Sequence, residues 1–229
     1  MLSFLSLSHK NVRSCVVVSN LKRHEKSCLF FNFIYNTHMK TLYVTYTHGD
    51  EHPPYEIPNA LIANPLAKER NVRYIETDLN RSFGAKTPVS YEEKRAIELE
   101  KVLSEYDLVV DIHRTTAQTK FCGIVTKLED AVYTLPYGVS AVILVENMQN
   151  SLISKAKHAV ALEYPYTYLL HTGSVPLYRV KDFVTAEPDW IDFEETEQGI
   201  PYLVNEKAYH GKCFLLEKIH SNINSNFMQ

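Results

Sequence analysis

Residues 47–51, Thr-His-Gly-Asp-Glu, set His48 and Glu51 three positions apart around Gly49, directly after a short apolar stretch. An imidazole and a carboxylate at that spacing can share one divalent cation. His113 follows the apolar run "DLVVDI" at 107–112, and Glu163 closes "AVALEY" at 159–164. Two imidazoles and a carboxylate, with one position left to water, form a catalytic zinc arrangement, and a free carboxylate beside it can move the water's proton. Taken singly, each residue also has an ordinary reading. A histidine after a strand is commonly a hydrogen-bonded loop residue, and Glu163 would serve as a salt-bridged carboxylate at a sheet edge. A second cluster, "ANPLAKERNVRYIETDLNRSF" at 63–83, brings Arg73, Asp78, Asn80 and Arg81 close together. The planar guanidinium fork binds carboxylates in two-point fashion, although the same residues would suit a capped, solvated turn.

These residues need strands to carry them. "TLYVTY" (41–46) is rich in β-branched and aromatic residues and predicts a buried strand. "VRYIE" (72–76), 107–112, 119–126, 141–146 and 159–164 predict further short strands, and 56–70 a helix interrupted or ended near Pro65. Ser90 and Glu93 form a capping box ahead of an amphipathic helix in "YEEKRAIELEKVLSEY". Apolar strands alternating with helices predict an α/β fold: a mixed, largely parallel sheet flanked by helices, with ligands beyond the strands' carboxyl ends. After Pro165, repeated Gly and Pro residues divide short β-like pieces, which predicts a small β-rich C-terminal annex (166–229). Tyr202 and Trp190 are expected to be exposed there and to suit a homo-oligomer contact.

The chain has 229 residues, 45% apolar and 22% charged, with net charge −3. It is long enough for one substantial domain, and neither nucleic acid nor a membrane is expected as a partner. Four scattered cysteines without a C-x-x-C pair predict a reducing, cytoplasmic setting. Residues 1–38 hold five basic residues and one acidic residue. They show no clear period and no signal-peptide cleavage pattern. They are expected to be a loosely ordered extension or an over-long gene start, with the hydrolase domain over 39–165.

The blocks "THGDE", "ANPLAKERNVRYIETDLNRSF", "DLVVDIHRTT", "AVALEYP" and "YLVNEKAY" occur in that order. With them the chain resembles the aspartoacylase/succinylglutamate desuccinylase family, relatives of the zinc carboxypeptidases. The resemblance implies one Zn2+ per chain held by His48, Glu51 and His113, with Glu163 as general acid/base. It implies that Arg73 polarises the scissile carbonyl, that Asn80 and Arg81 grip a substrate carboxylate, that Asp78 orients its neighbours and that Tyr209 closes over the substrate. The implied reaction is hydrolysis of an N-acyl amino acid or similar small carboxylate. A carboxypeptidase-like peptidase and a non-catalytic zinc- and carboxylate-binding protein are the rival readings. Asp50 stands where the family often has Asn, Arg114 follows the third ligand where aspartoacylase carries a smaller polar residue, and the region between "ALEYP" and "NEKAY" is much shorter than in aspartoacylase.

Overall fold

The structure is a computed structural model that describes residues 39–168, 171 and 174–223; the expected extension at 1–38 lies outside them. Among the described residues nine strands form one mixed sheet: β1 (Thr41–Thr45), β2 (Leu61–Ile62), β3 (Leu108–Arg114), β4 (Cys122–Val125), β5 (Ala141–Leu144), β6 (His158–Tyr164), β7 (Val175–Thr185), β8 (Ile200–Tyr202) and β9 (Lys212–Ile223). Their spatial order is β2-β1-β3-β6-β4-β5-β7-β9-β8. β2, β1, β3 and β6 run parallel to one another, and so do β4, β5 and β7. The two groups meet at the antiparallel β6–β4 seam, and β9 pairs antiparallel with both β7 and β8. The β-rich tail is therefore bonded edge-on to the sheet that carries the candidate site.

Helix α2 (Tyr91–Leu103) begins with the predicted capping box, both of whose hydrogen bonds are formed. Its Ala96, Leu99 and Leu103 bury against Leu42 and Val44 of β1, Val109 of β3 and Ala159 of β6. A second core joins Cys122, Ala141 and Ile143 to Tyr178, Tyr202 and Leu216 in the tail. Tyr202 is 1% exposed there, so it offers no subunit contact. Trp190 is half-buried. Cys122 and Cys213 are buried free thiols.

Two expectations along 56–76 need correction. Pro65 starts a helix rather than ending one: α1 runs Pro65–Arg70, with Asn64 as its N-cap accepting from the Ala67 N–H. Proline suits that first position because its missing N–H would have no intrahelical partner. Residues 72–76 form no strand. The N–H groups of Ile75, Glu76 and Thr77 donate to the Glu92 carboxylate on α2, at 2.6–3.1 Å, in place of a neighbouring strand. Burial would raise the pKa of Glu92, but these N–H groups and the Asn64 amide outweigh it and hold the carboxyl below its usual range. Glu92→Ala leaves those donors without their anion. We expect the variant to lose about 3 kcal/mol in urea unfolding and to loosen the segment between Arg73 and Asp78.

Candidate active site

Three neighbouring parallel strands, β1, β3 and β6, end on the same side of the sheet. His48 sits in the turn after β1, while His113 on β3 and Glu163 on β6 are direct cross-strand partners. Gly49 holds the turn close to α1. A Cβ placed there would lie 2.1 Å from the Ala67 carbonyl carbon and 2.4 Å from the Lys68 nitrogen. The Gly49 N–H donates to the Arg73 carbonyl at 3.1 Å, which draws the arginine segment over the same turn.

His48 Nδ1 lies 2.7 Å from Glu51 Oε1, and His113 Nδ1 lies 2.8 Å from Glu51 Oε2. One donor atom from each of the three residues falls within 4.8 Å of the others. Each far ring nitrogen meets a carboxylate: His48 Nε2 lies 3.1 Å from Asp78, and His113 Nε2 lies 2.8 Å from Asp111. Such outer carboxylates fix ring orientation and make an imidazole a better metal ligand. Both histidines are about 5% exposed. Two inward Nδ1 atoms and one carboxylate, backed by two outer carboxylates on the rings, are a donor set that fits zinc with a coordination position free.

Burial disfavours charge on both rings, yet the surrounding carboxylates prevail and raise both pKa values. For Glu51 burial acts upward, and the two imidazoles outweigh it, holding the carboxyl well below its ordinary range. Glu163 behaves in the opposite way. Burial pushes its pKa up to about 7, with Glu51 and Glu206 adding repulsion against the opposing pull of His113 and His48. A carboxylate poised near neutrality can both accept and return a proton.

Arg73 donates to Glu51 Oε1 at 3.0 Å and stands 3.7 Å from Asp78. Asp78 caps the turn Leu79–Arg81 through the Asn80 N–H. The carbonyl oxygen of the Asn80 side chain accepts the Leu152 N–H at 2.9 Å, so the turn Leu152–Ser154 is tied beside Arg81. Arg81 is exposed and donates to the Asn80 backbone carbonyl. Tyr209 lines the same cleft, packed edge-on against Phe183 and Phe214. All nine expected residues thus meet in one region, eight of them on the cleft wall with Asp78 behind His48. Asp50 is exposed.

Sequence reasoning missed two residues that hold the site. Asp111, fully buried on β3, also receives the Thr47 hydroxyl at 2.7 Å and so links the turn carrying His48 to the strand carrying His113. Its signal was an Asp two positions before a His in an apolar strand, which places both on one face. Glu206 accepts from the backbone N–H and hydroxyl of Thr116 and from the Thr115 hydroxyl, binding the loop after β3 to the turn that carries Tyr209.

A family model described as the succinylglutamate desuccinylase/aspartoacylase catalytic domain matches residues 38–164. The chain belongs to this family. The N-acyl-aromatic-L-amino acid amidohydrolase (carboxylate-forming) of Xenopus laevis is 32% identical over 174 residues, 66% of this chain and 56% of that protein. The aspartoacylase of Xenopus tropicalis is 27% identical over 159 residues, 63% of this chain and 48% of that one. The chain thus spans about half the length of the curated relatives it matches. Among solved structures, murine aminoacylase 3 superposes with a TM-score of 0.62 at 22% identity, covering 79% of this chain and 95% of that chain. Succinylglutamate desuccinylase from Chromobacterium violaceum gives 0.62 at 17%, covering 80% and 86%. These likenesses establish the family's fold here.

Proposed function

We propose that the chain is a zinc-dependent amidohydrolase that cleaves N-acyl amino acids, with one ion held by His48, Glu51 and His113. The observation that carries this reading is the convergence of both Nδ1 atoms on Glu51, with Glu163 on the adjoining strand as cross-strand partner of His113. Zinc bound there would supply a Lewis acid for the amide carbonyl and lower the pKa of a water. Glu163 would accept a proton from the attacking water and return it to the departing nitrogen. Arg73, anchored on Glu51 and Asp78, keeps positive charge beside the oxygen on which negative charge builds. Arg81 grips the substrate carboxylate, and the Nδ2 amide of Asn80, whose oxygen is already bonded, adds a donor. Fixing the carboxylate orients the amide for attack. Tyr209 covers the substrate from the tail.

Metal analysis of the purified chain, followed by assay of N-acyl amino acids beside C-terminal peptides, tests this reading. We expect about one zinc per chain, loss of activity on chelation and its return with zinc. Peptide cleavage without deacylation would assign the site to a carboxypeptidase-like reaction instead. Arg81→Ala is expected to raise KM about 10- to 100-fold, as a charged hydrogen bond of 1.5–3 kcal/mol is lost. An unchanged KM would remove Arg81 from the carboxylate grip.

A further inference from the structure

Tyr202 is 1% exposed, and among the described residues its buried hydroxyl has no hydrogen-bond partner. A buried phenol ordinarily finds one, because an unpaired O–H costs free energy. The acceptors around it are already engaged. The Cys122 thiol, a weak acceptor, stands beside the hydroxyl and gives its own proton to the Lys120 carbonyl at 3.1 Å. The Asp192 carboxylate receives the N–H groups of Leu203 and Val204 at 2.9 and 2.7 Å. Leu203 itself stands at φ +58°, a left-handed conformation that strains a leucine and fixes the end of β8 where Tyr202 sits.

Glu163 has the complementary lack. Among the described residues no donor is bonded to its carboxylate, although it lines the cleft where a proton carrier must be held in place. The two groups share one face of the sheet. Glu163 on β6 is the direct antiparallel partner of Cys122 on β4, and such partners project side by side, about 5 Å apart. Tyr202 packs in the same core as Cys122 and belongs to the cleft wall that includes Glu163. Rotation about the glutamate's own side-chain bonds carries its carboxylate across Cys122 toward the phenol.

We propose that Tyr202 is a positioning residue for the hydrolysis: its hydroxyl donates to the Glu163 carboxylate and aims the oxygen that takes the water's proton. The proposal deepens the deacylase reading and rests on it. The phenol does not touch the substrate. It fixes one oxygen of Glu163 so that the other faces the attacking water, and the held end of β8 keeps the ring from following the carboxylate.

A double-mutant cycle with two readouts tests this. Tyr202→Phe removes only the hydroxyl, and Glu163→Ala removes the acceptor. The substrate is N-acetyl-L-phenylalanine or N-acetyl-L-aspartate, whichever the zinc-loaded parent cleaves faster. Tyr202→Phe is expected to lower kcat about 10- to 100-fold, the equivalent of one hydrogen bond to a charged group, with KM and zinc content retained. In the Glu163→Ala background the same change should leave kcat where it is. The unfolding free energies of the four proteins at pH 8 should likewise not add, since losing the hydroxyl destabilises the parent and not Glu163→Ala. Turnover of Tyr202→Phe at the parent's rate, an equal loss in the Glu163→Ala background, loss of zinc or additive unfolding energies each overturn the proposal. Coupled unfolding energies with no turnover of either compound by the parent support the contact and overturn the deacylase reading alone.

Discussion

Glu163→Gln is expected to lower kcat about 10²- to 10⁴-fold, the range for removal of a positioned general acid/base, with zinc content and substrate affinity retained. Glutamine keeps the shape and one carbonyl oxygen but neither accepts nor returns a proton at neutral pH. Turnover at the parent's rate would remove Glu163 from the proton-transfer role. The same substitution carries a stability signature. In the metal-free protein the Glu163 pKa stands at about 7 against an ordinary 4.5, because burial penalises the ionised form. A raised pKa means the group's favourable contribution is complete below pH 4.5 and is lost as pH rises through 7. Glutamine has no such titration. The variant should match the parent in unfolding free energy near pH 4.5 and exceed it by up to about 3 kcal/mol at pH 8. Chemical unfolding in chelator at both pH values measures the difference, and a gap independent of pH would refute its cause.

Gly49→Ala should be the most damaging single-methyl addition near the site. The new Cβ would stand 2.1–2.4 Å from three backbone atoms of α1, a separation that no rotamer change relieves. Either the helix or the turn must move. His48 adjoins Gly49 and Glu51 lies two residues beyond, so the shift is delivered straight to the 2.7 Å and 2.8 Å spacings of the donor set. We expect at least tenfold weaker zinc binding, the scale on which disturbed ligand support acts, and a loss of about 3 kcal/mol from overpacking. Zinc stoichiometry after dialysis and unfolding of the metal-free variant measure the two effects separately.

The most visible parts of the molecule in the sequence were those whose burial and spacing leave a periodic trace. β1, β3, β5 and β6 are short apolar runs covered on both faces, and α2 announces itself through Ser90 and Glu93. His48, Glu51, His113 and Glu163 were legible because each follows or closes such a run. The segment 72–76 misled because Val72, Tyr74 and Ile75 imitate a strand. What organises it is Glu92, sixteen residues away from Glu76 in the chain, and a helical glutamate carries no local sign that it will be buried. Asp111 left only the faint trace of an Asp two positions before His113, and its bond from the Thr47 hydroxyl spans 64 residues. Glu206 lay within a recognised block, but its bond to Thr116 spans 90 residues and no local pattern encodes it.

That long-range bond has a consequence for the order in which the protein matures. His48, Glu51, His113 and Glu163 all leave the ribosome before Glu206 and Tyr209, and pairing of β9 with β7 and β8 comes later still. Contacts at such separation close slowly because loop entropy must be overcome first. A nascent chain that has folded only through β6 would therefore hold His48, Glu51, His113 and Glu163 in a groove still lacking the wall that Tyr209 and Glu206 supply, and the last strands complete that wall.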